Sequence, residues 1–229
     1  MIDIHSHILP EVDDGSKNAE QSFEMLNDAV NQGITDIILT PHYRVDYLND
    51  GEKIRKKFAD FKASVAERGI NVSLYLGQEI FVFYDMAESL KSGKLLSLND
   101  SKYVLVEFSP EYSMDIPETV YMIKTNGFIP IVAHLCRYHY ADIETAREIK
   151  ELGGLIQLNA GAFCDTWKRR RKAFGYIKEG LVDFIASDVH FGRDNNMEKA
   201  YRIVSKKFGT AVADKLFTEN AERILNKQK

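Results

Sequence analysis

The chain opens with MIDIHSHILPEVDDG at residues 1–15, a short apolar run followed by two histidines, two aspartates and a glycine. The run at 1–4 predicts a buried strand, because Pro10 leaves no room for a helix before it. His5 and His7 stand two residues apart, so an extended strand points both imidazoles to the same side. Taken alone, such a pair is also typical of ordinary polar residues at a strand end.

Two aspartates, Asp13 and Asp14, follow in a glycine-containing loop that can return a carboxylate to the same point. Five later apolar runs also end on a histidine or a glutamate. The carboxyl ends of parallel strands meet at one end of a barrel, so side chains from several strands gather there. The pattern therefore predicts one metal site built from many strand ends. The five runs are DIILTPH (36–42), VSLYLGQE (72–79), YVLVE (103–107), FIPIVAH (128–134) and DFIASDVH (183–190).

Strands and helices alternate along the chain. Seven strands separated by helices predict parallel βα units with right-handed crossovers. We expect an α/β fold, a distorted seven-stranded (β/α)7 barrel with C-terminal helices, forming a single domain over residues 1–229. An open doubly wound sheet is the alternative, but no glycine-rich phosphate loop follows the first strand. The predicted strands are 1–4, 36–40, 72–80, 103–108, 128–133, 155–160 and 182–186; the predicted helices are Ser16 or Asn18 to Gly33, 52–68, 86–91, 116–126, 141–152, 166–179, 196–208 and 211–226.

Composition narrows the function classes. The formal net charge of −4 argues against a nucleic-acid binder, although the cluster 168–172 (KRRRK) is locally basic. No apolar run is long enough to span a membrane, and the N-terminus lacks the features of a signal peptide. Two cysteines, Cys136 and Cys164, suit a reducing compartment. We therefore expect a cytoplasmic protein without membrane insertion, and the oligomeric state stays open.

Nine residues form the predicted ligand set, with nitrogen and oxygen donors and no cysteine. Imidazole and carboxylate together suit Mn, Fe or Zn, and nine side chains are too many for one ion. A carboxylate such as Glu107 can bridge two ions, and a cluster of two or three ions can activate water and hold a phosphoryl group. The set predicts a metallohydrolase acting on phosphoesters. Its members are His5, His7, Asp14, His42, Glu79, Glu107, His134, Asp188 and His190.

The ordered motifs resemble the PHP (polymerase and histidinol phosphatase) superfamily. The matching features are HSH, DDG, TPH, the two strand-end glutamates, AH at 133–134 and SDVH at 187–190. More narrowly, MIDIHSHILPEVDDG, ILTPHY, GQEI and the HxxRY of HLCRY (134–138) resemble the bacterial PHP-type protein-tyrosine phosphatases. Those enzymes dephosphorylate the tyrosine-rich tail of bacterial tyrosine kinases that regulate capsular and exopolysaccharide synthesis.

The resemblance implies three divalent metal ions, often manganese, held by the nine residues, and it marks Arg137 and Arg193 as phosphate clamps. A guanidinium fork matches two phosphate oxygens, which agrees with that role. Two departures stand out. Cys136 occupies the position where the family usually has a glutamate before the arginine, and the segment 191–196 (FGRDNN) after His190 is shortened.

A mechanism follows as an expectation. A metal-bridging hydroxide attacks phosphorus while Arg137 and Arg193 stabilise the equatorial oxygens. The tyrosine phenolate then leaves, and its pKa near 10 makes strong acid assistance dispensable. His190 or Asp14 could assist its departure. Four residues that follow strand ends could line the mouth or simply pack in loops; these are Tyr43, Arg44, Tyr47 and Phe83.

Three alternatives remain. Cys164 and Arg170 satisfy CxxxxxR, the spacing of cysteine-dependent tyrosine phosphatases, but the intervening DTWKR has no glycine to let amides wrap a phosphate. Instead of forming part of such a loop, the basic cluster 168–172 could be a solvated helix face that attracts an acidic kinase tail. A small-phosphoester hydrolase of the histidinol phosphate class would use the same metals. A non-catalytic metal-binding module is the third alternative, which the intact ligand set argues against.

Overall fold

The computed structural model describes residues 1–226 and contains nine β segments, all paired in parallel. Three form a sheet in the order β1-β2-β4, and six form a sheet in the order β3-β5-β6-β7-β8-β9. The predicted domain end at 227–229 lies outside the described residues. The segments are β1 (Ile2–Ser6), β2 (Asp36–Leu39), β3 (His42–Tyr43), β4 (Ser73–Leu76), β5 (Glu79–Phe81), β6 (Tyr103–Glu107), β7 (Ile129–Val132), β8 (Leu155–Asn159) and β9 (Phe184–Ala186).

The curled sheets form the predicted distorted barrel, with two differences in detail. The predicted strands 36–40 and 72–80 are each broken in two, into β2 and β3 and into β4 and β5. Pro41 has no amide hydrogen for the ladder, and a Cβ at Gly77 would lie 2.5 Å from Leu98 Cδ2. At each break the chain passes from the three-stranded sheet to the six-stranded sheet. The seven predicted strands are therefore seen as nine segments.

The two ends of the curl meet where β1 runs beside the residues after β9. The Asp188 amide donates to His5 O at 2.8 Å, and the His7 amide donates to Val189 O at 3.0 Å. Ser187 completes this seam by donating its hydroxyl to the buried carboxylate of Asp3 at 2.5 Å. The seam places the first and last predicted ligands side by side.

Helices fill the connections largely as predicted. Asn18 caps α1, because its side chain accepts from the Gln21 amide at 3.0 Å. A short helix at Gly161–Cys164 was not predicted, and the expected last helix is divided by a π turn at Lys215–Glu219. The helices are α1 (Ala19–Asn31), α2 (Gly51–Glu67), α3 (Met86–Lys91), α4 (Ile116–Thr125), α5 (Ile143–Glu151), α6 (Gly161–Cys164), α7 (Trp167–Lys178), α8 (Met197–Phe208), α9 (Thr210–Asp214) and α10 (Asn220–Glu222).

The C-terminal segment closes the barrel at the end opposite the predicted ligands. Ile224 and Leu225 pack with Ile2, Leu105 and other interior side chains of the strands. This packing leaves the carboxyl ends of the strands as the open end. None of the helices in residues 1–226 is long and apolar enough to cross a membrane.

Candidate metal centre

The end of β1 brings two imidazoles together. His5 Nε2 and His7 Nε2 lie 3.2 Å apart, and both side chains are fully buried. Each ring's other nitrogen is occupied: His5 Nδ1 lies 3.3 Å from Gln157 Oε1, and His7 Nδ1 lies 2.8 Å from Asp13 Oδ2. A partner on Nδ1 fixes the tautomer, so both Nε2 lone pairs are free to face a metal.

Two carboxylates complete this inner group. Glu79 Oε2 lies 3.2 Å from His5 Nε2 and 3.3 Å from His7 Nε2. Asp188 Oδ1 lies 3.4 Å from each of the same nitrogens. The four side chains are buried, and their ligand atoms all lie within 4.8 Å of one another, as the ligands of one ion require.

The remaining predicted ligands surround the first four. Asp14 Oδ1 lies 3.4 Å from His42 Nε2 and 3.4 Å from His190 Nε2. Glu107 Oε2 lies 3.5 Å from His42 Nδ1, and Glu107 Oε1 lies 3.6 Å from His134 Nε2. The structure thus brings all nine predicted residues to one place. Three groups have ligand atoms within 4.8 Å of one another: His7, Asp14, His42 and His190; His5, His7, Glu79 and Asp188; His42, Glu79 and Glu107.

Several buried polar atoms of this cluster have no hydrogen-bond partner among residues 1–226. Such atoms indicate whether the cluster is suited to bind metal ions. His42 Nδ1 and Glu79 Oε2 lie 2.9 Å apart, yet within residues 1–226 neither has a hydrogen-bond partner. In the same range, Glu107 Oε2 and His134 Nδ1 are also buried without a hydrogen-bond partner. Buried polar atoms are rarely left unsatisfied unless water or an ion meets them. The donor set and these atoms fit borderline divalent ions.

Backbone geometry at the site is unusual. His134 and Asp188 have φ angles of 35° and 51°, in the left-handed region that non-glycine residues seldom occupy. Gly15 is required for a different reason, because a Cβ there would lie 2.0 Å from the His7 carbonyl oxygen. The glycine of DDG therefore lets the loop approach His7 closely enough to place both aspartates.

The charges in the cluster are strongly coupled. Burial lowers the pKa of His5, but the charges of Glu79 and Asp188 outweigh it, so the pKa is raised. Opposing its own burial, Glu79 has a pKa well below its usual range because the histidines around it stabilise the carboxylate. Burial, together with the charge of Glu79, raises the pKa of Glu107 to about 8. The carboxylates of Glu79 and Glu107 thus repel each other unless a cation lies between them.

A cavity of about 1190 Å³ opens above the cluster, and both predicted phosphate clamps line it. Arg137 lies at the mouth, with its side chain 45% exposed and its NH1 atom 3.1 Å from Asp188 Oδ2. Arg193 donates its amide to His190 O at 3.0 Å, which holds the shortened segment against the site. Both arginines therefore line the cavity, and the guanidinium group of Arg137 is paired with Asp188.

The four residues predicted at the mouth differ in their surroundings. Arg44 lines the cavity, with NH2 3.4 Å from Asp14 Oδ2, and it lies over the Tyr47 ring at 5.1 Å. Tyr43 and Phe83 pack against each other with ring centroids 5.7 Å apart. Loop packing thus accounts for that pair, while Arg44 faces the site.

Three residues outside the predicted ligand set support the ligands: Asp13, which the sequence analysis named only as a loop aspartate, and Gln157 and Asn159, which it missed. Asp13 Oδ2 accepts from the His42 amide at 3.0 Å as well as contacting His7. Gln157 and Asn159, on β8, link His5 to Asp188: Gln157 Nε2 donates to Asn159 Oδ1 at 2.9 Å, and Asn159 Nδ2 donates to Asp188 Oδ2 at 2.6 Å. The available signal was the alternation in LIQLN, where two polar residues stand two apart in a buried strand.

The CxxxxxR segment does not form a phosphate-binding loop. Residues from Trp167 onward are helical, and the Arg170 amide donates to Thr166 O at 3.0 Å. Burial raises the pKa of the Cys164 thiol, which keeps it protonated at neutral pH. A thiolate nucleophile is therefore not favoured at this position.

Cys136 and Lys172 lie at the turn that carries Arg137. Burial raises the pKa of Cys136 to about 12, so this thiol carries no charge at the position where the resemblance leads us to expect a glutamate. Lys172 instead donates to the carbonyl of Tyr138 at 2.9 Å. Within the basic cluster, Lys168, Arg169 and Arg171 are exposed, whereas Arg170 and Lys172 turn partly inward, so the solvated-face interpretation holds for three of the five.

Comparison with known proteins gives matches along almost the whole chain. The family model described as capsular polysaccharide synthesis, CpsB/CapC, matches residues 1–226. The chain is 35% identical over 238 residues to tyrosine-protein phosphatase CpsB of Streptococcus agalactiae, covering 98% of each. It is 34% identical over 244 residues to tyrosine-protein phosphatase YwqE of Bacillus subtilis, covering 100% of this chain and 92% of that one.

A solved structure shows the same architecture. It belongs to a study of YwqE from Bacillus subtilis and CpsB from Streptococcus pneumoniae, described there as unique metal-dependent tyrosine phosphatases. The TM-score is 0.93 at 31% sequence identity, with 100% of this chain and 96% of the other covered. The similarity therefore includes the strand ends that carry the cluster.

Proposed function

Because this chain belongs to the CpsB/CapC family of capsular polysaccharide synthesis proteins, we propose that it is a metal-dependent protein-tyrosine phosphatase. Its substrate is phosphotyrosine on a bacterial tyrosine kinase that controls capsular or exopolysaccharide synthesis. The observation that carries the proposal is the convergence of nine predicted ligand residues, eight of them buried, below a cavity whose lining includes Arg137 and Arg193. Free thiols at Cys136 and Cys164 support a cytoplasmic location, and the match over 1–226 supports a single domain.

Three divalent ions, with manganese as the first candidate, would be held by the three overlapping groups of the cluster. Glu79 and His42 belong to two groups each, as does His7, so these residues would connect neighbouring ions. His134 would join the group of Glu79 and Glu107, since its Nε2 lies 2.8 Å from Glu79 Oε1. When bound, the ions would supply activated water and offset the charge of the phosphoryl group.

The protein's own residues position the phosphate and handle the proton. Arg137 and Arg193 bind the phosphoryl oxygens from the cavity side, as guanidinium groups do in bidentate fashion. Asp14 and His190, 3.4 Å apart, form the pair that can hold a proton near the departing tyrosine oxygen. Phenolate needs little such help, because its conjugate acid has a pKa near 10.

The shape of the cavity favours a peptide over a small metabolite. Its volume of about 1190 Å³ exceeds what one drug-sized ligand fills, and its mouth is lined by exposed side chains such as Tyr112 and Val45. A phosphotyrosyl segment would occupy the deep part with its ring and phosphate and the mouth with its flanking residues.

The test is phosphate release from a phosphotyrosyl peptide and from histidinol phosphate, with chelator and then with Mn²⁺ restored. We expect chelator-sensitive turnover that Mn²⁺ restores and a higher kcat/KM for the peptide. Cys164→Ser should retain activity within about twofold, because a protonated thiol makes no nucleophile. Chelator-resistant turnover that Cys164→Ser abolishes would establish the cysteine mechanism instead. Metal binding without turnover of either substrate would establish the non-catalytic module.

A further inference from the structure

The cavity above the metal centre has two unlike arcs. The residues after β8 and β9, which are neighbours in the sheet, supply Arg169, Arg193 and Lys199. We call these three residues the basic wall. Two carboxylates stand among them, those of Asp165 and Asp194. The basic wall therefore carries an excess of positive charge.

On the opposite arc, acidic side chains outnumber basic ones. It follows β3, β5 and β6 and supplies one cation, Arg44, against Asp46 and Glu111, together with apolar side chains including Phe81 and Tyr112. Arg44 already faces the Asp14 carboxylate at 3.4 Å. A substrate in the cavity thus meets positive charge on one side and mixed apolar and acidic surface on the other.

Two members of the basic wall are free to bind an anion. Arg169 pairs with Asp165 four residues earlier on the chain. Among residues 1–226, neither Arg193 nor Lys199 forms an ion pair with the protein's own carboxylates. Lys199 is exposed in the first turn of α8, and its neighbour Glu198 is taken by Arg202.

The position of Lys199 separates it from the reacting group. Arg137 and Arg193 adjoin the metal ligands directly, through Asp188 and through the carbonyl of His190. Arg169 and Lys199 lie on helices α7 and α8, and both are exposed residues of the cavity lining. Their charge is therefore placed for a group that flanks the phosphate rather than for the phosphate itself.

We propose that the basic wall binds the carboxylate of an acidic residue that flanks the phosphotyrosine, so that the enzyme selects acidic phosphotyrosyl segments. This inference rests on the proposed function. Lys199 is the main specificity-determining residue for the peptide, and Arg169 contributes by exchanging its exposed pair with Asp165 for the peptide carboxylate. The opposite arc accepts the uncharged side of the same segment. Exposed charges at a rim act through long-range attraction, so the selectivity weakens as salt increases.

The test compares phosphotyrosyl peptides of one length with glutamate or glutamine at the flanking positions, and free phosphotyrosine reports on the reaction centre. On Mn²⁺-loaded protein we expect a higher kcat/KM for the glutamate peptide. Lys199→Glu and Arg169→Glu should each lower the ratio of glutamate to glutamine peptide by about 5-fold, in the range of rim charges. Lys206→Glu, on the same helix at its exposed far end, is the matched control and should keep the wild-type ratio.

An unchanged ratio in Lys199→Glu and Arg169→Glu, or no preference in the wild type, would overturn the inference while leaving the phosphatase activity established. Equal losses on both peptides and on free phosphotyrosine would also overturn it, by placing the effect at the reaction centre. If no phosphotyrosyl substrate is hydrolysed, the proposed function fails. Fluorescence anisotropy of the labelled peptides, measured in parallel on the wild type and Lys199→Glu, then still decides whether the basic wall prefers acidic segments.

Discussion

At the scale of single residues, the groups that hold the ligands matter as much as the ligands. Asp13 and Asp14 are adjacent and chemically identical, yet they face different partners. Asp14 meets His42 and His190 with Oδ1, whereas Asp13 lies behind His7 and beside the His42 amide. One aspartate is thus a candidate ligand and the other orients a ligand, because the loop turns between them.

Asp13→Ala should weaken metal binding by about 10–100-fold, since a histidine ligand that loses its supporting carboxylate is neither oriented nor kept in one tautomer. The measurement is a Mn²⁺ titration by calorimetry, with metal content after dialysis as a second readout. Asp60→Ala, at an exposed position of α2, is the control and should bind like the wild type. Equal affinity in Asp13→Ala and the control would show that His7 needs no support from this carboxylate.

At the scale of elements, the turn after β7 connects the metal centre to the phosphate clamp. His134 begins a 3₁₀ turn at Leu135–Arg137, and Tyr138 ends it. The buried hydroxyl of Tyr138 accepts from the Phe108 amide at 3.0 Å, one residue beyond Glu107. The carbonyl of Tyr138 accepts from Lys172 on α7 at 2.9 Å. β6, the turn and α7 are thereby held together around Arg137.

Tyr138→Phe should lower the free energy of unfolding by about 1–3 kcal/mol, because it leaves the buried Phe108 amide without its acceptor while keeping the ring. Urea denaturation of the metal-free protein measures this. Tyr121→Phe, on α4 with the side chain 58% exposed, should change stability little. Equal midpoints for the two variants would mean that another acceptor takes the Phe108 amide.

At the scale of the whole molecule, the two sheets are joined by the same ligands that make the site. His5 and His7 come from the end of the three-stranded sheet, and Asp188 and His190 follow the last strand of the six-stranded sheet. Metal bound here therefore links the two edges of the curl, and binding adds to the stability of the folded state.

The metal-free protein should lose stability as pH rises from about 6.5 to 8. Glu107 has a folded-state pKa of about 8 against an ordinary value of 4.5. The folded state therefore holds a proton that the unfolded state has lost, so the stabilising contribution declines as pH rises toward the folded pKa. His5 and His7, also raised, act in the same direction above 6.5.

The measurement is the unfolding free energy in chelator at both pH values for the wild type and Glu107→Gln, which isolates this group from the others. The wild type should lose about 1–2 kcal/mol more than the variant across the interval, as linkage requires for one retained proton. Parallel behaviour of the two proteins would show that Glu107 is ionised throughout.

Sequence pattern alone predicted the order of strands and helices and the nine candidate ligands. Both are periodic, local signals: an apolar run predicts a strand, and its last residue must lie at the end where parallel strands meet. Features that depend on contacts between distant segments emerge only in the folded chain. The predicted strands are broken near Pro41, which has no amide hydrogen for the ladder, and near Gly77, where Leu98 leaves no room for a Cβ. Folding places Gln157 next to His5, 152 positions away along the chain. Folding also brings Arg169, Arg193 and Lys199 to one side of the cavity. Sequence spacing does not predict these contacts, because it does not show which segments become neighbours when a barrel closes.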